Sequence, residues 1–286
     1  MATIVSSATG APLIRTRSSD PAKWVRFAGL LFVTAVALIP VGVVILLAFR
    51  PSTRSDSTSL FTLENFTHIF RETQTLQWLM NSIGVTSVTV VVSVLVGAPA
   101  GYVLSRGRSR AVASYSLLLF VVQALPVITA VIPLFILFAK IGLVDNLWGL
   151  AIIYVGASTS VATWMMAAYM DTIPVSLEQA SWIDGCSIFQ GFVRIVLRNS
   201  LPGILSTAIF TFLVSWNDYL VALIFLRSEP GFTLPIGLQS FFQQTVTDWG
   251  SVMAIAVVMM APPVVIFTFL NKYFSAGGIG GSLAGQ

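Results

Sequence analysis

The sequence has little charge and almost none of the side chains from which enzymes build metal or nucleophile sites. Only 9% of its 286 residues are charged, and it contains one cysteine, Cys186, and one histidine, His68. A single cysteine excludes an intrachain disulfide. A histidine without a second histidine or cysteine beside it does not favour a metal site, so His68 is interpreted as a surface or interfacial residue.

Motifs for nucleotide binding and hydrolysis are also missing from the sequence. No G-x-x-x-x-G-K-[ST] loop occurs, so the chain is not expected to bind ATP through a P-loop. No cofactor is expected to be bound by this chain. The absence of H-E-x-x-H and G-x-S-x-G patterns leaves a membrane hydrolase with little support.

What the chain has instead is long apolar runs. Hydrophobic residues make up 56% of it, and the mean hydropathy is +0.89. Six runs approach the roughly 20 residues that span a bilayer. They are Trp24–Phe49, Trp78–Leu104, Val112–Ala139, Leu147–Met170, Ile204–Leu226 and Trp249–Phe274. The sequence therefore predicts an all-α membrane protein with six transmembrane helices.

The distribution of basic residues predicts the orientation. Ten of the 15 Lys and Arg residues lie on the same side of the predicted spans as the N-terminus; the other five are Arg50, Arg54, Arg71, Lys140 and Arg227. Because cytoplasmic loops carry the excess of Lys and Arg, both termini are predicted to be cytoplasmic. This bias explains the net positive charge better than nucleic-acid binding does.

Three regions follow from this map. Residues 1–23 are predicted to be a disordered cytoplasmic tail, residues 24–274 the transmembrane domain, and residues 275–286 a flexible Gly-rich tail. The first apolar run is longer than a removable signal peptide and predicts an uncleaved anchor.

A polar stretch of about thirty residues, 171–203, separates the fourth and fifth runs, where a few residues would suffice as a connection. Ser176 and Gln179 have capping-box spacing, which predicts the start of a short helix. Asp184-Gly185 then predicts its end, since glycine tolerates the left-handed conformation of a helix C′ position.

A second short helix is predicted after this turn. Ser187 and Gln190 repeat the capping-box spacing, and the helix should end before Pro202, because the residue preceding proline avoids the α region. A helix-turn-helix outside the bilayer needs a surface to pack against, and the rest of the chain does not supply one.

Glu178-Gln179-Ala180, followed by Asp184-Gly185 and a hydrophobic helix that ends at Pro202, resembles the EAA loop of ABC importer permeases. Two positions depart from the usual pattern, Ser181 and Arg198. The resemblance implies that this loop, with Phe192 in its second helix, docks into a cytoplasmic ATPase subunit. Glu178 would complement the dipole of its own helix, and its side chain can also face basic residues in the ATPase groove.

The fifth apolar run carries an acid, in the pattern F-L-V-S-W-N-D-Y-L. A carboxylate inside a membrane is costly and normally faces a polar pathway or a partner. Asn217 and Asp218 are therefore candidates for the translocation path, together with the aromatic faces of Trp216 and Tyr219. A structural hydrogen bond between helices is an equally good interpretation of Asp218. Gln123 is a weaker path candidate.

W-N-D-Y-L is similar to the corresponding helix of maltose-permease relatives, a carbohydrate branch of the same family. Further fragments occur in the order and spacing of that branch: Thr62–Phe66, Asn81-Ser82, Thr233–Leu238 and Lys272–Phe274. The lysine that often ends the C-terminal tail of this branch is absent here.

The resemblance implies the permease subunit of an ABC importer for a carbohydrate in the bacterial cytoplasmic membrane, not an enzyme. Its implied partners are a second permease subunit in a heterodimer, two ATPase subunits that use ATP and Mg²⁺, and an extracytoplasmic solute-binding protein. An importer of a non-sugar solute remains an alternative. An ion-coupled secondary transporter, which would predict inverted repeats that the sequence does not show, and a scaffolding membrane protein also remain open.

Overall fold

The computed structural model describes residues 22–51, 60–242 and 247–278, and every regular element among them is helical. The α-helices are α1 Ala22–Ala48, α2 Glu64–Arg71, α3 Thr75–Arg106, α4 Arg110–Ala124, α5 Val127–Lys140, α6 Leu147–Met170, α7 Val175–Ile183, α8 Ile188–Gly191, α9 Leu197–Asn199, α10 Leu201–Trp216, α11 Leu220–Phe225, α12 Leu234–Gln239 and α13 Trp249–Gly278. A π-helical segment, Phe192–Val196, joins α8 to α9, and a 3₁₀ turn covers Glu229–Gly231. The predicted all-α class is confirmed.

Within the described ranges, four helices are long and apolar enough to cross a membrane, namely Lys23–Ala48, Thr75–Arg106, Leu147–Met170 and Trp249–Leu270. They correspond to the first, second, fourth and sixth predicted spans. The described residues divide into two units, with the boundary between Val43 and Val44. In the first unit, the side chains of α1 from Lys23 to Ile39 are exposed. A helix that is apolar on all sides is typical of one that lipid or another subunit covers.

The third predicted span, Val112–Ala139, is not one continuous helix. Leu125 is extended (φ −74°, ψ 123°), and the helices on either side of the break are bent by 96°. Pro126 explains the break, because its ring disfavours the α conformation of the preceding residue. Pro126 thus divides the predicted span into α4 and α5.

The fifth predicted span, Ile204–Leu226, is interrupted as well. Helix α10 begins earlier, at Leu201, and ends at Trp216. The chain resumes as the short helix α11 only at Leu220. The predicted intramembrane acid, Asp218, therefore lies in a break between two helices and not within a helix.

Helices α3 and α6 form the most extensive helix–helix contact of the described chain. At Gly101 an added Cβ would lie 2.7 Å from the Met166 Cβ and 2.9 Å from the Thr163 carbonyl oxygen. At Gly97 it would lie 3.1 Å from the Ala162 Cβ. Two glycines four residues apart allow backbones to approach closely, as is common between helices in membranes.

The N-terminal end of α3 is fastened to the segment that precedes α12. The Asn81 amide donates to the carbonyl oxygens of Pro230 (2.8 Å) and Phe232 (2.9 Å). The Trp78 indole donates to the Glu229 carbonyl at 2.9 Å, and the Leu234 amide donates to Ser82 Oγ at 2.7 Å. Side chains of α3 thus hold this loop by four hydrogen bonds.

Asp145 joins the loop between α5 and α6 to the loop after α11. Its Oδ1 accepts from the backbone amides of Arg227 (2.8 Å) and Ser228 (2.9 Å), and its Oδ2 accepts from the Ser228 hydroxyl. The hydrogen bonds from the side chain and amide of Ser228 and from the Arg227 amide lower the pKa of the Asp145 carboxyl below its ordinary value. The carboxylate form therefore stabilises the junction of the two loops.

Candidate functional site

The polar stretch between α6 and α10 forms two short helices, as predicted, and we call residues 175–199 the coupling segment. The predicted cap of its first helix is wrong: α7 begins at Val175, after Pro174, and no side chain caps it. Pro174 occupies the N-cap position, so Ser176 lies within the first turn of α7 and does not cap it. The residues Ser176 and Gln179 are both exposed.

The predicted end of α7 is confirmed in detail. Gly185 has a positive φ of 89°. The Cys186 amide donates to the Ser181 carbonyl (2.9 Å) and the Gly185 amide to the Trp182 carbonyl (3.1 Å). This pair of bonds is the Schellman arrangement, which closes a helix end with a left-handed residue.

The second helix also begins where the sequence predicts. The Gln190 amide donates to Ser187 Oγ at 3.3 Å, and the Ser187 amide donates to Gln190 Oε1 at 3.0 Å, which completes the capping box. This helix ends at Asn199, and Pro202 occupies the first turn of α10. The π-helical segment Phe192–Val196 within it was not predicted.

Glu178 does not face outwards. Its side chain is 1% exposed. Its Oε1 accepts a hydrogen bond from Arg106 Nε at 2.7 Å and forms an ion pair with Arg106 Nη2, also at 2.7 Å. Its Oε2 accepts from the Tyr102 hydroxyl at 2.8 Å. The expectation that Glu178 can face basic residues of an ATPase is therefore wrong for this conformation, because two residues of α3 already satisfy both carboxylate oxygens.

Phe192 likewise lies on the inner side of the coupling segment. It is buried, and its ring lies 4.7 Å from the ring of Tyr102. It belongs to an apolar cluster with Met166, Met170 and Val196. Phe192 therefore packs the coupling segment onto α3 and α6, and does not present a surface to another subunit.

The outward surface of the coupling segment is an apolar tip, Ile183, Ile188 and Phe189. These side chains are 86%, 65% and 73% exposed and lie on either side of the turn at Gly185. Sequence reasoning missed all three. The available signal was three large apolar residues flanking a turn predicted to lie outside the membrane. Of the predicted residues, Gln179, Ala180 and Asp184 are exposed on the same segment.

A polar cleft of about 570 Å³ opens between α7 and the C-terminal end of α3. Its walls include both partners of the buried ion pair and the exposed Arg108, with Asp171 and Trp182. The cleft places two arginines next to the coupling segment.

The proposed path residues do not form one cluster in the described structure. Asp218 Oδ1 accepts from the Tyr154 hydroxyl (2.7 Å) and from the Ala222 amide (3.1 Å), so this carboxylate joins α6 to the start of α11. Asn217 is exposed and Tyr219 half-buried beside it, whereas Gln123 is exposed on another helix, α4.

Trp216 is buried in this conformation. Its indole donates to the Met259 carbonyl at 3.2 Å and stacks on Phe212 with ring centroids 5.5 Å apart. A solute cannot stack on this indole while α10 and α13 pack in this way.

The described residues contain no cluster of three or more His, Cys, Asp or Glu side chains suited to a metal ion. His68 Nδ1 lies 2.9 Å from Glu72 Oε2, one turn along the chain.

Residues 93–277 match the family described as the binding-protein-dependent transport system inner membrane component, and the chain belongs to this family. It is 32% identical over 273 residues to the arabinooligosaccharides transport system permease protein of Halalkalibacterium halodurans, covering 92% of this chain and 97% of that protein. It is 31% identical over 231 residues to the maltodextrin transport system permease protein of Bacillus subtilis, covering 80% of this chain and 83% of that protein.

The fold is similar to that of a solved transporter chain. The TM-score is 0.74 at 22% identity, over 91% of this chain and 99% of that chain, which comes from a bacterial ABC transporter involved in the import of the acidic polysaccharide alginate. The protein is thus a multi-pass inner-membrane permease subunit of an ABC importer. It is a transport subunit, and ATP hydrolysis belongs to a separate ATPase partner. The interpretations as a secondary transporter or a scaffold are set aside.

Proposed function

We propose that this chain is the permease subunit of a carbohydrate importer and that its coupling segment docks into an ATPase subunit. The observation that carries the docking proposal is the apolar tip. Burying a side chain such as Ile183 or Phe189 is worth about 1.5–3 kcal/mol. A tip of three such residues, held by a closed turn and a capping box, is therefore suited to insertion into an apolar groove.

The carbohydrate assignment is supported by the relatives. Two of them, over most of this chain, are permeases named for arabinooligosaccharides and for maltodextrin. The transporter of similar fold imports alginate, also a polysaccharide. We infer that the solute is a sugar, an oligosaccharide or a related polyol.

The proposed topology has six spans, with α4 plus α5 and α10 plus α11 each forming one interrupted span. Both termini and the coupling segment lie in the cytoplasm, in agreement with the excess of Lys and Arg on that side. Residues 24–274 form the permease domain. Residues 1–21 and 279–286 lie outside the described structure, and α13 continues through Gly278, past the predicted start of the Gly-rich tail.

The proposed assembly contains a second, different permease chain, two ATPase subunits that hold ATP and Mg²⁺, and an extracytoplasmic binding protein. ATP-driven closure of the ATPase pair moves the coupling segments and supplies the free-energy difference between inward and outward states. Asn217, Asp218 and Tyr219 line the solute path where the helix is broken, and Gln123 contributes from α4. Trp216 supports this region by packing.

The docking proposal is tested with Phe189→Glu in the tagged permease, isolated from membranes of its host. A charge in the groove should lower the copurifying ATPase at least about tenfold, because a buried unpaired carboxylate is strongly disfavoured. Phe61→Glu is the matched control, since Phe61 is 65% exposed and lies outside the coupling segment. Wild-type recovery of the ATPase with Phe189→Glu would refute docking through this tip.

The solute class is tested separately by uptake in host cells. Arabinooligosaccharides and maltodextrins are expected either to be taken up themselves or, added unlabelled, to compete with the solute that is taken up. Amino acids should have no effect on this uptake. Uptake of an amino acid, with no response to any carbohydrate, would refute the carbohydrate assignment and leave the docking proposal intact.

A further inference from the structure

We propose that Arg106 is a positioning residue that joins the coupling segment to α3, so that the two move as one rigid body. This inference rests on the proposed docking of the coupling segment and names the internal contact through which docking acts on the membrane domain. Arg106 and Tyr102 are two residues of α3 that sequence reasoning did not select.

Arg106 contacts the coupling segment and the linker that leads into it. Its Nε donates to Glu178 Oε1, its Nη2 forms an ion pair with the same oxygen, and Nη2 donates to the Ile173 carbonyl at 3.0 Å. Nη1 donates to Ser105 Oγ at 3.0 Å, and that hydroxyl donates to Asp171 Oδ1 at 2.5 Å. The end of α3 therefore holds α7 and two residues of the linker 171–174, Asp171 and Ile173.

The chemistry of this contact favours a role in orientation over a role in stability. Desolvating a charge pair offsets much of its attraction, and apolar residues of similar size would hold two helices together equally well. A guanidinium, however, presents its donors in a planar, rigid fork. Such a fork fixes the angle between α7 and α3, whereas an apolar contact would allow one helix to slide along the other.

The covalent connection from the coupling segment into the membrane is less direct. The second helix of the segment, Ile188–Asn199, meets α10 at a bend of 72°. Helix α10 then stops at Trp216, before the break that precedes α11. A displacement of the coupling segment can be absorbed at the bend and at the break, so the covalent connection through α10 transmits it poorly.

Helix α3 has no such break. Its 32 residues correspond to about 48 Å of continuous helix. Gly97 and Gly101 pack it closely onto α6, and at its far end Trp78 and Asn81 hold the loop that contains Glu229–Gly231. A movement passed to α3 by Arg106 therefore reaches the other end of that helix, which stays continuous through Pro99.

The test is Arg106→Gln in the complete transporter, reconstituted with its ATPase subunits, second permease and binding protein. The measured quantity is solute imported per ATP hydrolysed. The amount of ATPase recovered per permease should stay at the wild-type level while this ratio falls about tenfold, which corresponds to a lost coupling free energy of ordinary size. Arg110→Gln, which removes the same charge from an exposed site four residues on, should leave the ratio unchanged.

A double variant separates positioning from stability. Arg106→Gln alone leaves Glu178 as a buried unpaired charge and should lower the yield of complex. Arg106→Gln combined with Glu178→Gln removes that charge, so the yield should recover while the import ratio stays low. A wild-type ratio in either variant, or recovery of yield and ratio together in the double variant, would overturn the proposal.

Failure of the Arg106 proposal can be distinguished from failure of the docking proposal. If Phe189→Glu retains the ATPase, docking through the tip is wrong, whatever Arg106 does. If Phe189→Glu loses the ATPase and Arg106→Gln keeps both the ATPase and the wild-type import ratio, docking is right and the positioning role of Arg106 is wrong.

Discussion

The turn at Gly185 allows a quantitative test of the coupling segment, because only backbone strain is at stake there. Its φ is +89°, and a Cβ added at this position would meet no atom within 4 Å. Substitutions therefore introduce no clash, and their cost is that of placing an L-residue in the left-handed region. That cost is about 1–2 kcal/mol for alanine and up to about 3 kcal/mol for a β-branched residue.

Since about 1.4 kcal/mol corresponds to a factor of ten, Gly185→Ala should lower the population of the native turn about 5- to 30-fold, and Gly185→Val about 100-fold. Asparagine visits this region more readily, so Gly185→Asn should be the mildest variant. Ile183 and Ile188 lie on opposite sides of the turn, and opening it separates the apolar tip.

The assay measures ATPase copurification and solute uptake for the three variants, normalised to the amount of permease in the membrane. The expected order of loss is Asn, then Ala, then Val, with normal insertion, because none of the changes touches a predicted span. Equal retention of both activities in all three variants would refute the strain argument and the proposed role of this turn.

Glu178→Lys should be more damaging than Gly185→Val. The resemblance to the EAA loop implied that the Glu178 side chain can face an ATPase subunit, but the structure buries it. In the structure the new lysine would lie buried beside Arg106, and removing one partner of a buried pair costs about 3–5 kcal/mol. The yield of intact complex on size-exclusion chromatography should fall; a wild-type yield would contradict the buried position of Glu178.

Four further outcomes are expected. Gly101→Val should reduce the assembled complex several-fold, because its Cβ would approach Met166 to 2.7 Å, whereas a wild-type yield would contradict the close α3–α6 contact. Asp218→Asn, whose amide oxygen can still accept both observed hydrogen bonds, should preserve yield and lower uptake; normal uptake would remove Asp218 from the proposed path. Asp145→Ala should lower the melting temperature, and an unchanged melting temperature would argue against this loop contact. Because the pKa of the Asp145 carboxyl is lowered in the folded protein, its stabilising contribution in the wild type should be complete above the ordinary aspartate pKa of about 4. The contribution should be lost as the pH falls through the lowered pKa. In a protein without Cys186, a cysteine at Leu60 should react with an impermeant thiol reagent in intact cells and one at Ser109 should not, and the reverse pattern would overturn the proposed topology.

The features that the sequence predicted correctly are local ones. The end of α7 at Asp184-Gly185 and the capping box of Ser187 and Gln190 depend on residues within one turn of each other, and both are observed. The predicted start of α7 was wrong, because Pro174 and not Ser176 occupies the N-cap position. The predicted spans likewise follow from local hydropathy, and four of them appear as single helices.

The breaks within the other two spans show where local hydropathy stops being informative. Pro126 and the Asn217–Tyr219 stretch were visible in the sequence, but apolar composition alone does not say whether a helix continues through such residues. At Asp218 the Tyr154 hydroxyl, 64 positions away, helps to hold the carboxylate where it caps α11. Local composition thus does not decide whether the helix continues through Asp218, and the observed break has a tertiary contact, with Tyr154, beside it.

By itself, the sequence determined that this chain is an all-helical membrane protein with a helical pair between its fourth and fifth spans, because periodicity, length and capping are encoded in neighbouring residues. Only the tertiary structure decided which surface of that pair is available. Arg106 lies 72 positions from Glu178, and no local pattern reports that their side chains meet. Since a charge buried at an interior contact requires a partner, that meeting turns Glu178 inwards and leaves Ile183, Ile188 and Phe189 as the exposed tip.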